Sequence, residues 1–469
     1  MRSALLCLVV LAAASGCDTS GGGSSGGGSG SSGGGAASSG GGSASSGGGA
    51  ASSGGGASSS GGGSSASGGG TSSSGGGTAS SGGGAGCMAG AFLQSLGKTR
   101  LMMGGTMEDP IATQAAWDVR YLYISGGYFD GTTPCASCAT SCTAQTKSCK
   151  NGAGGCPWWG CYQYDQDPPG DYARAFIAAA KAKNQLPMFT YYEFLQGSQA
   201  TEGPGQVAKT TDLTFMTKYF NDWRFLLQQV GNEKVILHVE PDLWGYAQAF
   251  NANPAAISAK VKAANGTDCS TQADDFTGFG KCLVAMARKY APNAKVGFTA
   301  SAWATGTDVN INKNASLDVV AEAKKVANYL KLVGGADGDF VVVEALDRDA
   351  GFYQVVRMEN RFWDTTNATL PNFTQHFTWA KAIAETVGKP LLWWQLPVGN
   401  MTLANTANHY KDNRADYFMG HLADVAKAHG ALVAFGEGDG DQTTLSTDNG
   451  HVVGLVKAYL MGAGQVPCP

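Results

Sequence analysis

The stretch "VILHVEPDLWGY", residues 235–246, is a short apolar run that stops at two acids, a proline and two aromatic residues. An apolar run of this length that ends at such a breaker is typical of a buried strand. Glu240 and Asp242 close the run, and Trp244 and Tyr246 follow it. Since side chains two residues apart on a strand share one side, we expect the two acids to face the same way at the strand's carboxyl end.

Seven further apolar runs surround this one, and amphipathic stretches separate them. The eight runs are "TRLMMGG", "VRYLYISGG", "LPMFTYYEF", "KVILHVEPD", "AKVGFTASAW", "GDFVVVEALD", "KPLLWWQLP" and "ALVAFGEGDG". Between them, stretches such as "DYARAFIAAAKAKN" place apolar residues at helical steps. This alternation predicts a parallel sheet covered by helices, and eight units fit a closed (β/α)8 barrel of the TIM type better than an open doubly wound sheet. No run precedes a G-x-G-x-x-G turn, so we expect no dinucleotide or other cofactor.

The start of the chain has the features of an export signal followed by a tether. The segment "MRSALLCLVVLAAASGC" has a short apolar stretch with small residues before Cys17, and "ASGC" resembles the lipobox of bacterial lipoproteins. We expect residues 1–16 to be a signal peptide and Cys17 to carry a lipid that anchors the protein to the bacterial cell envelope. An ordinary signal peptide that happens to contain a cysteine is the alternative. Residues 17–85, almost wholly Gly, Ser and Ala, predict a flexible linker, and residues 86–469 form the predicted barrel domain.

Cysteines dominate one insertion of the predicted barrel. Without the signal and lipid-bearing cysteines the number is even, which predicts disulfides in an exported chain. Six crowd into residues 135–161, a loop after the second strand, where we expect three disulfides rather than a zinc site. Cys87 and Cys468 could join the two ends of the folded part, and Cys269 and Cys282 flank one loop.

The charge and hydropathy of the chain exclude some partners. A formal net charge of −4 over 469 residues leaves no basic footprint for nucleic acid. No second apolar stretch is long enough to be a transmembrane helix. We expect a monomer.

Acids recur where the predicted strands end, at the face of such a barrel that carries functional residues. They are Glu193, Glu240, Asp242, Glu344, Asp347, Asp349, Glu437, Asp439 and Asp441. A lone acid in such a place is more often a helix cap or an ion-pair partner. Facing one another, however, these groups would raise some of their own pKa values, and a carboxylic acid with a raised pKa can protonate a leaving group.

Aromatic and amide side chains are interleaved with these acids, which indicates a carbohydrate ligand. Aromatic faces stack on the C–H faces of sugar rings, while carboxylates and amides bond sugar hydroxyls. The predicted substrate-binding set is Glu193, Tyr192, Trp244, Trp303, Asp349, Trp394, Gln395 and Asp439. Because Trp393 and Trp394 are adjacent, only one of them can face the cleft.

The region 86–469 resembles (β/α)8 glycoside hydrolases. In the largest clan of retaining enzymes with this fold, the acid/base glutamate after strand four follows an asparagine, and a nucleophilic glutamate ends strand seven. Here Val239 precedes Glu240, and Gln395 stands at the strand-seven position. Half of the retaining pattern is therefore missing, which favours inversion.

Three fragments resemble family-6 glycoside hydrolases, which are inverting cellulases: "VEPD" at 239–242, "ALDRD" at 345–349 and "FGEGDG" at 435–440. Their order differs, since in that family the D-R-D segment precedes the E-P-D segment. The resemblance implies an acid at Asp347 or Asp349. It implies that Asp242, with Glu437 or Asp439, lines the sugar site.

The sequence thus predicts an enzyme that hydrolyses an extracellular polysaccharide of the β-glucan type. One carboxylic acid would protonate the glycosidic oxygen while a second carboxylate activates water or attacks carbon. The predicted catalytic carboxyl groups are Asp242, Asp347, Glu240 and Glu437. One alternative is a non-catalytic, carbohydrate-binding surface lipoprotein. Another is a metal-dependent hydrolase that uses His238, but a single nearby histidine favours a buried core residue, and we expect no metal.

Overall fold

The structure, a computed structural model, describes residues 87–125, 159, 170–198, 200–438 and 440–468. Eight parallel strands follow one another around a closed barrel, and the eighth pairs with the first. The predicted (β/α)8 architecture is therefore confirmed. The strands are β1 (Met102–Thr106), β2 (Val119–Ile124), β3 (Leu186–Tyr191), β4 (Ile236–Val239), β5 (Lys295–Ala300), β6 (Phe340–Val343), β7 (Leu391–Leu396) and β8 (Gly430–Phe435).

Helices lie between the strands and in the loops at the two ends of the barrel. The α-helices described are Met88–Ser95, Asp109–Ala112, Asp171–Ala182, Glu193–Gln196, Pro204–Lys209, Leu213–Val230, Leu243–Phe250, Phe276–Tyr290, Val319–Leu332, Ala350–Phe352, Phe373–Val387, Arg414–Gly420, Leu422–Lys427 and His451–Met461. Three long helices begin where an aspartate side chain accepts a hydrogen bond from a first-turn N–H, at Asp212, Asp275 and Asp318. These caps satisfy backbone donors that the helix itself leaves free.

Side chains along each strand point alternately outward and inward, and they form two apolar layers. On β6, Val341 and Val343 pack outward with the helices, while Phe340 and Val342 join a second cluster with residues of the other strands. That second cluster fills the barrel interior, as the period of two in a strand requires. The next inward position falls on Glu344, the residue that follows β6 at its carboxyl end.

The helix Met88–Ser95 covers the amino-terminal end of the barrel interior. Its Phe92 and Leu93 belong to the interior cluster, and the Phe92 ring lies 5.8 Å from the ring of Phe340, the first residue of β6. Cys87, at the helix start, forms a disulfide with Cys468. The far end of the chain thus holds this helix in place.

A second disulfide joins Cys269 to Cys282 in the segment after β4. Disulfides of this kind form and persist in oxidising compartments. The six cysteines of residues 135–161 lie outside the described residues, and so do the predicted signal peptide, Cys17 and the predicted linker 17–85. No helix in the described part of the chain is both long and apolar enough to cross a membrane.

Candidate active site

A cavity of about 530 Å³ opens at the carboxyl ends of the strands, within the size range of small-molecule sites. Predicted site residues that line it are Tyr192, Asp242, Trp303, Asp347, Trp394, Gln395 and Glu437. Four others are buried away from it, namely Glu193, Glu240, Trp244 and Asp349. Asp439 lies outside the described residues. The cavity therefore brings together acids from the segments after β4, β6 and β8.

Glu344 lines the cavity and was not among the predicted catalytic residues. Its carboxyl group forms no hydrogen bond or ion pair with any residue that the structure describes. Burial raises its pKa well above the usual value, and the nearby charges of Asp242 and Asp347 raise it further. Burial and the neighbouring acids therefore favour the protonated form of Glu344, the form that can act as an acid. Its inward position, two residues after Val342, was the sequence signal that could have identified it.

Asp242 lies at the residue before the helix Leu243–Phe250 and lines the cavity. The hydroxyl of Tyr192 donates a hydrogen bond to its Oδ2 at 2.8 Å. Burial raises the pKa of Asp242 to about 6, although that hydrogen bond lowers it. At neutral pH Asp242 is thus mostly a carboxylate.

Asp347 is held by two donors at the rim of the cavity. Arg348 Nη1 donates to its Oδ2 at 2.6 Å, and the hydroxyl of Tyr353 donates to its Oδ1 at 2.6 Å. Its side chain is 46% exposed. Both carboxylate oxygens are therefore fixed in direction while the group stays open to a ligand.

Gln395 enters the cavity through an irregularity at the end of β7. The pairing of β7 with β8 shifts register between Trp393 and Leu396, and Gln395 has a φ of 56°. Such a bulge turns a side chain toward a new direction. The amide Nε2 of Gln395 donates to the backbone oxygen of Glu437 at 2.7 Å and to the hydroxyl of Tyr123 at 3.0 Å. Burial raises the pKa of Glu437 itself to about 7.

The prediction that Glu240 shares a side with Asp242 is wrong. β4 ends at Val239, and Glu240 has a φ of 50°, so the chain turns before Asp242. The Glu240 carboxyl group accepts hydrogen bonds from the backbone N–H groups of Glu193 at 3.0 Å and Phe194 at 3.2 Å. It therefore stabilises the first turn of the helix Glu193–Gln196 beneath the cavity, and neither glutamate reaches the cavity wall.

Trp244 and Asp349 also have structural positions, which corrects their prediction as substrate-binding residues. Trp244 stacks on Phe298 with ring centroids 4.1 Å apart, and its Nε1 donates to the oxygen of Val239 at 2.8 Å. Asp349 accepts backbone N–H bonds from Gly399 at 2.9 Å and Thr443 at 2.8 Å, which ties together the loops after β6, β7 and β8.

His238 lies inside the barrel and not among acids. Its Nε2 is 2.7 Å from the hydroxyl of Thr299 and its Nδ1 is 3.4 Å from that of Thr190. Burial lowers its pKa to about 3, so the ring is neutral. No group of three or more metal-binding side chains is arranged for a metal ion in the described part of the molecule.

Aromatic rings form part of the cavity wall. Trp303 and Tyr246 lie side by side with ring centroids 4.7 Å apart, and Trp394 lies deeper. Trp159, from the insertion after β2, also lines the cavity, and its Nε1 contacts both carboxylate oxygens of Asp222 at 3.0 Å. These flat surfaces beside carboxyl groups suit the faces and edges of a sugar ring.

A chain of hydrogen bonds supports the cavity from behind. Trp393 faces outward, and its Nε1 donates to Nε2 of His376 at 2.9 Å. His376 Nδ1 therefore carries the proton that is donated to Asn310 Oδ1 at 2.8 Å. Asn310 in turn donates from Nδ2 to the backbone oxygen of Glu344 at 3.0 Å, and from its backbone N to Asp308 at 2.9 Å. The network fixes two acidic residues of the cavity.

Comparison with protein-family models and with curated proteins found no match. Among solved structures, the chain is similar to an endo-β-1,4-mannanase of Cellulomonas fimi at 12% identity and a TM-score of 0.41, over 81% of this chain and 76% of that chain. An endo-β-1,4-mannanase of Thermotoga petrophila aligns at 12% identity and a TM-score of 0.38, over 77% of each chain. An endoglucanase of Mycobacterium tuberculosis aligns at 16% identity and a TM-score of 0.26, over 48% of this chain and 56% of that chain. Likeness of this degree assigns neither a family nor a substrate.

Proposed function

We propose that this chain is a glycoside hydrolase that acts on a polysaccharide or oligosaccharide. The observation that carries the proposal is the pair of Glu344 and Asp242 in one cavity. Both pKa values are raised, that of Glu344 well above its usual range and that of Asp242 only to about 6. A neutral carboxylic acid beside an ionised carboxylate is the pairing that glycosidic hydrolysis needs.

In the proposed mechanism, Glu344 gives its proton to the glycosidic oxygen as the bond from that oxygen to the anomeric carbon breaks. Asp242 accepts a proton from the attacking water, or attacks the anomeric carbon itself. The absence of a glutamate at Gln395 favours the first course and therefore inversion. Asp347 orients a sugar hydroxyl with its fixed carboxylate, and Trp303 and Trp394 hold the ring.

The proposal replaces two of the predicted catalytic residues. Glu240 is occupied by backbone N–H groups, and Glu437 lies across the cavity beside Gln395, where it would bind sugar hydroxyls. Asp347 remains a candidate for the second carboxylate, because its side chain is open to a ligand. Export, a lipid anchor at Cys17, a monomeric state and a β-glucan substrate remain predictions from the sequence.

The test compares Glu344→Gln and Asp242→Asn with the exposed control Glu233→Gln. Reducing ends would be measured on a panel of β-linked glucans and mannans, and binding by calorimetry. We expect kcat to fall by about 10²–10⁴-fold in each active-site variant, since each loses an acid or base, while oligosaccharide binding persists. Unchanged turnover in both variants would contradict the assignment. Binding without any release of reducing ends by the unaltered protein would instead indicate the non-catalytic alternative.

A further inference from the structure

The cavity wall contains many more acidic than basic side chains. Six acids line it, namely Glu202, Asp242, Asp308, Glu344, Asp347 and Glu437. Two arginines are the only basic residues in the described lining, and both have partners. Arg348 binds Asp347 at 2.6 Å, while Arg361 pairs with Glu359 and lies over the ring of Tyr353, 4.9 Å from its centroid.

Several polar groups of the wall have no protein partner. The carboxyl group of Glu344 contacts no hydrogen-bond donor within the described residues. Ser301 is only 5% exposed and lines the cavity, yet its hydroxyl has no hydrogen-bond partner in the same part of the chain. Since buried polar groups are nearly always satisfied, these groups indicate a polar ligand that completes them.

One part of the wall combines negative charge with aromatic surface. The hydroxyl of Tyr246 donates to Glu202 Oε1 at 2.6 Å, and the Tyr246 ring lies 4.7 Å from that of Trp303. Glu202 therefore lies beside a pair of aromatic rings, a setting that suits an ammonium group, which gains an ion pair with the carboxylate and a cation–π contact with a ring. An anionic sugar would be repelled at this position.

We propose that the substrate is a glycan whose sugars carry free, protonated amino groups, and that Glu202 with Trp303 binds one of these amines. The inference rests on the proposed function and narrows it. An ammonium group neutralises acids that a neutral sugar would leave facing one another. In agreement, mutual repulsion contributes to the raised pKa values of Asp242, Glu344 and Asp308, and a bound cation would relieve it.

The experiment uses three oligosaccharides with one β-1,4 backbone: an oligomer of glucosamine, its N-acetylated counterpart and an oligomer of glucose. Titration calorimetry on the Glu344→Gln protein would measure the three affinities at low and high salt. We expect the glucosamine oligomer to bind at least about tenfold more tightly than the other two at low salt. This difference in affinity should become smaller at high salt, because salt screens interactions between exposed charges.

A variant locates the amine site. In the same protein, the additional change Glu202→Gln should weaken binding of the glucosamine oligomer about fivefold, and Glu233→Gln should not. Equal affinities for the three oligomers, or no binding of the glucosamine oligomer, would overturn the inference.

Turnover separates the two proposals. If the unaltered protein cuts a neutral oligomer and shows no preference for amines, the inference fails while the proposed function stands. If it binds the glucosamine oligomer selectively and cuts none of the three, the proposed function fails and the amine site stands.

Discussion

Tyr192 sets the ionisation of Asp242 through one hydrogen bond. Its hydroxyl donates to Asp242 at 2.8 Å and lowers a pKa that burial has raised to about 6. If Asp242 must be ionised for catalysis, kcat should rise with pH through about 6. On the alkaline side kcat should fall where Glu344, whose pKa is raised well above its usual value, loses its proton.

Tyr192→Phe should therefore move the acidic limb of the pH–rate profile to higher pH. The variant loses a donor to the carboxylate, which favours the protonated form of Asp242, and we expect a shift of about one pH unit. The matched control is Tyr329→Phe, since the Tyr329 hydroxyl has no partner in the described structure and lies outside the cavity wall. An unmoved limb in Tyr192→Phe would show that a group other than Asp242 titrates there.

Glu240 makes stability depend on pH without touching the cavity. Burial raises its pKa from 4.5 to about 8, against the opposing effect of the backbone N–H groups it binds. The folded state therefore holds a proton that the unfolded state releases above about pH 4.5. The contribution of Glu240 to the free energy of unfolding is therefore complete below about pH 4.5 and is lost as the pH rises through 8.

Glu240→Gln removes this dependence, because a glutamine oxygen still accepts the N–H bonds and does not ionise. We expect the variant to gain, relative to the unaltered protein, up to a few kcal/mol in free energy of unfolding between pH 5 and pH 8. Urea unfolding of both proteins at several pH values measures this difference in free energy. The other buried acids are the same in both proteins, so their contributions cancel. A difference independent of pH would mean that Glu240 is already ionised in the fold.

At the scale of elements, the position of Glu344 depends on a helix behind the sheet. His376, on the helix Phe373–Val387, joins Trp393 of β7 to Asn310, and Asn310 holds the backbone of Glu344. Burial lowers the pKa of His376 to about 3, so the ring stays neutral and keeps its proton on Nδ1. The helix Phe373–Val387 thereby connects β7 to the backbone of Glu344, which follows β6.

His376→Ala should lower kcat about tenfold with little change in KM, since it frees Asn310 and lets Glu344 shift without removing a substrate contact. His376→Asn supplies an N–H near the Nδ1 position and should restore much of the rate. Thermal unfolding of both variants shows whether each is folded at the assay temperature. Equal kcat in all three proteins would limit His376 to a role in stability.

The sequence predicted the elements well because period and composition determine them. Each of the eight predicted runs contains a strand, although β1 and β8 extend one residue beyond theirs, and the alternation of β6 continues to Glu344 just after it. Side-chain directions beyond the strand ends were not predictable. Glu240 and Gln395 both have positive φ values, and these local turns, fixed by tertiary contacts, decide which acid or amide enters the cavity. Trp244 was misassigned for the same reason, since nothing in its sequence distinguishes a rim from a core tryptophan.

At the scale of the whole molecule, the two ends of the barrel have separate tasks. The carboxyl end carries the cavity, while the helix Met88–Ser95 seals the interior at the other end and depends on the Cys87–Cys468 disulfide. That bond spans 381 residues, whereas Cys269–Cys282 spans 13. In a chain-entropy model the longer loop stabilises the fold more, by about 6 kcal/mol against about 3 kcal/mol.

Replacing each pair of cysteines by alanine tests this separation of tasks. We expect the Cys87→Ala/Cys468→Ala protein to lose more free energy of unfolding than the Cys269→Ala/Cys282→Ala protein, as measured by denaturant titration. At 25 °C, well below unfolding, kcat of the first variant should stay within about twofold of the unaltered protein, because the helix it loosens lies at the end opposite the cavity. A large loss of kcat in that variant, with the fold intact, would show that the interior cluster transmits the position of this helix to the catalytic face.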